Sequence, residues 1–251
     1  MNRPIRALAS ALVAIGCALS IAPAHANVVI AGTRVVFPAK DGEVTVRLTN
    51  DSPKPALVEA WIDDGNPRST PDQVETPFLI TPPLFRMNAH KDQSLRILFT
   101  HSQKPLPGDR ESVFWLNVLE IPPKPTGPQA VDKNYLQLAI RSRLKLFYRP
   151  ADLAGDPLKA PAALSFKAVA DGTGQALQVH NPTPYYVTIV QLSVDVGGKS
   201  YAGKTGMVAP MSDLRLDLPS LQQAPAAGSA IQFNTINDYG ANVALKSTVS
   251  P

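Results

Sequence analysis

From Asn134 to Pro150 the chain reads NYLQLAIRSRLKLFYRP, alternating apolar and polar residues almost without a break. Leu136, Leu138, Ile140, Leu144 and Leu146 fall on one face, and Gln137, Ala139, Arg141, Arg143 and Lys145 on the other. A period of two predicts a β-strand. One buried face is what such a pattern normally means, with the aliphatic side packed on the strand's own core. The other use of so apolar a stripe is to be lent to a second chain. The residues alone leave both uses open.

The rest of the chain repeats the strand signal. Val44–Leu48, Leu57–Ile62 and Ser94–Phe99 alternate, and Phe114–Leu119 is a denser apolar run suited to a central strand. Prolines at 53, 55, 67, 71, 82, 83, 105 and 107 punctuate these runs. Short strands separated by turn signals predict an antiparallel sandwich with little helix. After a Pro- and Ala-rich break at residues 150–161, a second series follows through residues 164–166, 177–180, 186–196, 214–218 and 230–236. The expectation is an all-β protein of two sandwich domains, residues 27–149 and 150–251.

Residues 1–26 read as an export signal. Arg3 and Arg6 precede an apolar run from Leu8 to Ile21, and Ala24-His25-Ala26 supplies a small-x-small cleavage pattern. The rival lipoprotein reading, with Gly16-Cys17 as the processing site, suffers from Ala14 three places before the cysteine. Cys17 is the only cysteine, so a chain cut after Ala26 has neither a disulfide nor thiolate chemistry and depends on its cores. Removing Arg3 and Arg6, with no acidic residue beside them, lowers the net charge from +4 to +2. No dense basic run points to nucleic acid.

Gly198-Lys199-Ser200-Tyr201-Ala202-Gly203-Lys204-Thr205 fits the phosphate-loop pattern, but Gly206 and Pro210 follow where a helix should face the phosphates. It reads as a glycine-rich hairpin turn, with no nucleotide. His90, His101 and His180 lack ligand spacing, and neither G-x-S-x-G nor H-E-x-x-H occurs. No metal, cofactor or catalytic activity is expected.

Several long motifs resemble, in order, those of the periplasmic pilus-assembly chaperones. They are Gly32–Pro38 (GTRVVFP), Asp109–Pro123 (DRESVFWLNVLEIPP), Ile140–Pro150 (IRSRLKLFYRP), Asn181–Tyr186 (NPTPYY) and Asn237–Gly240 (NDYG). The resemblance implies two immunoglobulin-like sandwiches in a boomerang with a cleft between them, and no enzyme activity. It implies that fimbrial subunits lacking their last strand are bound in the periplasm by donor-strand complementation and carried to an outer-membrane usher. On the matching positions, Leu136, Leu138 and Ile140 would be the donated side chains. Arg34 and Lys145 would anchor the subunit's C-terminal carboxylate. Glu111, Arg149 and Asp238 would form an interdomain ion network. Pro55, Leu57 and Pro83 would offer an apolar surface to the usher. The short segment between Pro123 and Asn134 resembles the branch of the family that serves rod-like pili. Parity sets Lys145 on the face opposite Leu136, Leu138 and Ile140 unless a bulge intervenes. An unused donor strand would also offer such an edge for self-association.

The competing class is a secreted pilin-like subunit or adhesin. Such subunits often carry a disulfide and a terminal donor segment, whereas here the IRSRLKLFYRP strand lies in mid-chain and cysteine is absent after Cys17.

Overall fold

A computed structural model describes residues 28–100, 105–124, 136–171 and 174–251. The export-signal residues, His101 and Asn134 lie outside them. The first nine strands are β1 (Val28–Ile30), β2 (Arg34–Pro38), β3 (Glu43–Asn50), β4 (Ala56–Asp63), β5 (Phe78–Thr81), β6 (Leu84–Met87), β7 (Asp92–Phe99), β8 (Ser112–Ile121) and β9 (Ile140–Arg149). They form two facing sheets, ordered β1-β3-β7-β5 and β2-β9-β8-β4-β6. The dense run at Phe114 is central, as its composition predicts. Between the sheets Phe37, Leu48, Val58, Leu95, Ile97, Leu116 and Leu146 are fully buried.

The chain changes sheets at its first turn. Val28–Ile30 pairs with β3, Gly32 takes a left-handed φ of 97°, and Arg34–Pro38 then pairs in parallel with β9. A residue with a Cβ is strained at that φ. The switch matters because β2 reaches only Lys145–Arg149 of β9. Among the described residues, the same edge of β9 from Ile140 to Leu144 has no partner strand.

The alternating pattern predicts a strand from Asn134, but the ladder begins at Ile140. The last rung pairs Ile140 with Glu120, one residue before β8 ends at Ile121. Pro122 and Pro123 follow, and neither carries an N–H with which to continue pairing. Leu136 to Ala139 therefore run past the sheet without strand pairing.

The second sandwich contains β10 (Ser165–Asp171), β11 (Gly174–Asn181), β12 (Val187–Val196), β13 (Lys199–Ala202), β14 (Gly206–Val208), β15 (Ser212–Leu218), β16 (Ala230–Ile236) and β17 (Asn242–Ser250). One layer is β10-β11-β15. The other is built on β12-β16-β17, with β13 and β14 flanking β12, and the end of β17 joins the layers by pairing with β10. Phe166, Leu177, Ile189, Leu192, Leu218, Ile231 and Phe233 fill the core. The phosphate-loop look-alike is the β12–β13 hairpin, turned by Gly197 and Gly198 at φ 60° and 78°. Those values suit a two-residue primed turn, and β14 follows where a nucleotide site needs a helix.

A buried asparagine ends the corresponding strand in each sandwich. Asn50 donates to the carbonyls of Lys54 and Asn88 and accepts from the Ser52 amide. Asn181 does the same toward Tyr185, Ala209 and Thr183. Each satisfies turn groups that burial would otherwise leave unpaired. The Asn181 turn also sets Tyr185 and Tyr186 against the first sandwich.

Candidate functional site

Strand parity divides β9 between two surfaces. Its register against β8 runs without a shift from Ile140 to Tyr148. Leu144 and Leu146 face the core, while Lys145, Phe147 and Arg149 face the second sandwich. No bulge intervenes, so Lys145 points away from the face that carries Ile140.

Arg34 and Lys145 are direct neighbours across the β2–β9 ladder. Both side chains reach the second sandwich. Arg34 Nη1 donates to the Ile236 carbonyl at 2.9 Å, and Lys145 Nζ donates to Thr188 Oγ1 at 3.2 Å. Neither Thr188 nor Ile236 stands out in the sequence, because their relevance arises only from the packing of the second sandwich. Among the described residues neither cation has a carboxylate partner within ion-pair distance. The buried Arg34 Nε has no hydrogen-bond partner among the described residues. Burial, followed by repulsion from Arg34, lowers the Lys145 ammonium to about 8. Burial also lowers the Arg34 guanidinium, against the pull of Asp238 and Glu111. Two adjacent, partly desolvated cations form a site that an anion with two acceptor oxygens would stabilise.

Farther along the same face of β9, Arg149 bridges the sandwiches. Its Nε donates to Glu111 Oε1 at 2.7 Å, and its Nη1 and Nη2 donate to the two Asp238 oxygens at 2.7 and 3.0 Å. Glu111 Oε2 accepts from the Tyr186 amide at 2.8 Å. The Arg149 guanidinium also lies 5.3 Å from the Tyr185 ring centre. Burial pushes the Glu111 carboxyl up, against the charge of Arg149 and the Tyr186 amide. Burial opposes the Arg149 charge too, but Asp238 and Glu111 outweigh it and raise that pKa. The structure thus brings together Glu111, Arg149 and Asp238, and places Arg34 and Lys145 beside them.

Leu136, Leu138 and Ile140 are 83%, 62% and 54% exposed. They continue the parity of the buried Leu144 and Leu146 past the end of the core. The core itself stops at Glu120, whose buried carboxylate accepts from the Val28 amide. Pro55 and Leu57 line a shallow groove with Arg86, Ile121, Pro122 and Pro123. Pro83 lies in the β5–β6 connection beside β4, where its carbonyl accepts from the Ala60 amide, and does not line that groove. No cluster of three or more His, Cys, Asp or Glu side chains among the described residues could hold a metal ion.

Fold and site together define a two-sandwich protein whose open-edged strand runs into a cationic cleft. Residues 27–154 match the family described as pili and flagellar-assembly chaperone, PapD N-terminal domain, and residues 159–247 match the pili assembly chaperone PapD, C-terminal domain. The chain is 48% identical over 232 residues to the chaperone protein FimB/FhaD of Bordetella pertussis, covering 90% of this chain and 91% of that one. The crystal structure of the YadV chaperone superposes with a TM-score of 0.74 at 39% identity, covering 89% of this chain and all of that one. A Salmonella enterica complex of the SafA pilin with the SafB chaperone matches at 28% identity and a TM-score of 0.70, covering 91% of this chain and 99% of that one. The chain belongs to the PapD-like pilus-assembly chaperone family, which is a family of chaperones and not one known for catalysis.

Proposed function

We propose that this protein binds fimbrial subunits in the periplasm by lending them β9 and then delivers them to an outer-membrane usher. The observation that carries the reading is the exposure of Leu136, Leu138 and Ile140 beside the edge of β9 that has no partner strand among the described residues. A subunit missing its last strand exposes apolar core and unpaired backbone, which is a template for aggregation. Three side chains at a spacing of two enter one groove. Full burial of each contributes about 1.5–3 kcal/mol before ordering costs.

The cleft supplies the register. β2 occupies the β9 edge from Lys145 onward, beginning with Arg34. A subunit strand whose C-terminal carboxylate meets Arg34 and Lys145 would lie along the edge from Leu144 back toward Leu136. It would run parallel to β9, in line with β2. Each charge-assisted bond to the carboxylate is worth about 1.5–3 kcal/mol. Glu111, Arg149 and Asp238 hold the two sandwiches so that the cations converge. Pro55 and Leu57, with Pro83 from the β5–β6 connection beside β4, offer the surface for the usher. The reading includes removal of residues 1–26 on export and a domain boundary at residues 149 and 150. The connecting segment fits that boundary, since Leu153, Ala160 and Leu164 pack on the second core.

The SafA–SafB complex, a pilin held by a relative of similar fold, favours a carrier over a pilin-like or adhesin subunit. Copurification from periplasm tests the reading. The protein should emerge one-to-one with a coexpressed fimbrial subunit. Lys145→Ala and Leu138→Glu should each abolish recovery of the subunit while the free protein stays folded. Undiminished recovery with both variants would sink it.

A further inference from the structure

On the outer face of β4, β8 and β9, away from the core, lies a cluster that the cleft chemistry does not use. Asp63 and Asn117 are fully buried there. Asp63 accepts from Arg143 through both carboxylate oxygens, from Asn117 Nδ2 at 2.8 Å and from the Gly65 amide at 2.8 Å. Asn117 Oδ1 accepts from Arg141 Nε at 2.9 Å and Nη2 at 2.6 Å, and Arg141 Nη1 donates to the Pro67 carbonyl at 3.0 Å. Arg141 lies 4.8 Å from the Trp61 ring centre and Arg143 lies 4.6 Å from that of Trp115. These are the only two tryptophans in the chain.

The position of the cluster is informative. Arg141 and Arg143 belong to the half of β9 that β2 does not cover. Among the described residues, β8 alone pairs with that half and fixes its backbone. A slip of one residue would carry both arginines to the core face and swing Ile140 outward. Bidentate and stacked arginine geometry opposes such a slip more strongly than apolar contact does, because a guanidinium fork fits a carboxylate in few orientations.

We propose that Asp63 and Asn117 are positioning residues for subunit capture. They clamp Arg141 and Arg143 on the outer face, fixing the register of β9 and keeping its open-edged half extended before a subunit arrives. An edge already held in its bound shape loses less conformational freedom on binding. The proposal rests on the donor-strand reading above.

Limited trypsin digestion of the full mature protein tests it, because Arg141 and Arg143 are themselves cleavage sites. Asp63→Asn keeps the side-chain volume and removes the charge. It should speed cleavage after Arg141 and Arg143 at least several-fold, leave cleavage after Arg47 and Arg215 unchanged, and shift tryptophan emission. Recovery of an N-terminally tagged fimbrial subunit, coexpressed in the periplasm, should fall several-fold, and Arg143→Lys should be intermediate. Unchanged cleavage at the two sites, an equal rise at every site, or local loosening with normal subunit recovery would each overturn the clamp. Ile140→Glu separates the two ideas. It should abolish recovery with the cleavage pattern intact, and normal recovery with that variant would count against the donor-strand reading itself.

Discussion

From Lys145 to Arg149, β9 is flanked by β2 on one side and β8 on the other; from Ile140 to Leu144, among the described residues, β8 alone pairs with it. The two halves carry one continuous alternation of apolar and polar side chains. Leu146 is fully buried, whereas Ile140 is 54% exposed. Composition does not separate them. The difference comes from their neighbours. Gly32 sends β1 to the opposite sheet, so β2 starts too late to cover the first half, and Pro122-Pro123 end β8 before Leu138. The open edge of β9 is thus made by shortening its neighbours and leaving its own pattern alone.

Substitutions that treat the halves as equivalent should expose the contrast. Leu146→Ala should have the largest effect on the free protein, about 3–5 kcal/mol, because the surrounding core closes poorly around a deleted side chain. Urea unfolding measures it, and a loss below about 1 kcal/mol would mean that the covered half is looser than described. Arg149→Ala should follow at about 3 kcal/mol. It strands the buried Glu111 carboxylate, while Arg149 itself retains some solvent contact. The same titration reads it, with Arg149→Lys recovering part of the loss because one ammonium cannot replace the fork.

The next effect is smaller and depends on pH. Below about pH 8, Lys145 is charged in both the folded and the unfolded protein, and its desolvation penalty is fully present. Between about pH 8 and 10 the unfolded lysine keeps a proton that the folded one has lost. Stability therefore rises with pH, by less than about 1.4 kcal/mol per unit. The phenols of Tyr148, Tyr185 and Tyr186, all raised by desolvation, act in the opposite direction above that window. The difference between wild type and Lys145→Met isolates the lysine. Subunit capture should show the reverse trend and weaken over the same window, because the carboxylate needs the protonated ammonium. Leu138→Ala should have the smallest effect on stability, within about 0.5 kcal/mol, as for other exposed positions. It should nevertheless lower subunit affinity measurably, and a change in stability without one in affinity would reverse the assignment of the two halves.

Much of this was legible in the residues. The strands at Glu43–Asn50, Ala56–Asp63, Ser112–Ile121 and Ala230–Ile236 follow their alternation or apolar density closely. The phosphate-loop look-alike reads correctly as a hairpin because Gly206 and Pro210 follow where a helix would have to start. The exposed state of Leu136 to Ile140 was not legible, since alternation specifies a face and not what covers it. β17 is not legible in the residues because Asn242–Ser250 is mostly exposed and carries few large apolar residues. The Asp63 cluster had a faint signal. Trp61-Ile62-Asp63, Trp115-Leu116-Asn117 and Arg141-Ser142-Arg143 each place two special side chains two residues apart, on one face of a strand. Only the registers of β4, β8 and β9 reveal that the three faces coincide.

Hydrogen exchange on the complex with a fimbrial subunit, compared with the free protein, tests the central claim most directly. Peptides covering Leu136 to Leu144 should gain strong protection on binding. The exposed edge strands β5 and β6, and the outer strands of the second sandwich, should stay as they are in the free protein. Protection that appears on those other edges while Leu136 to Leu144 exchange as before would contradict the account.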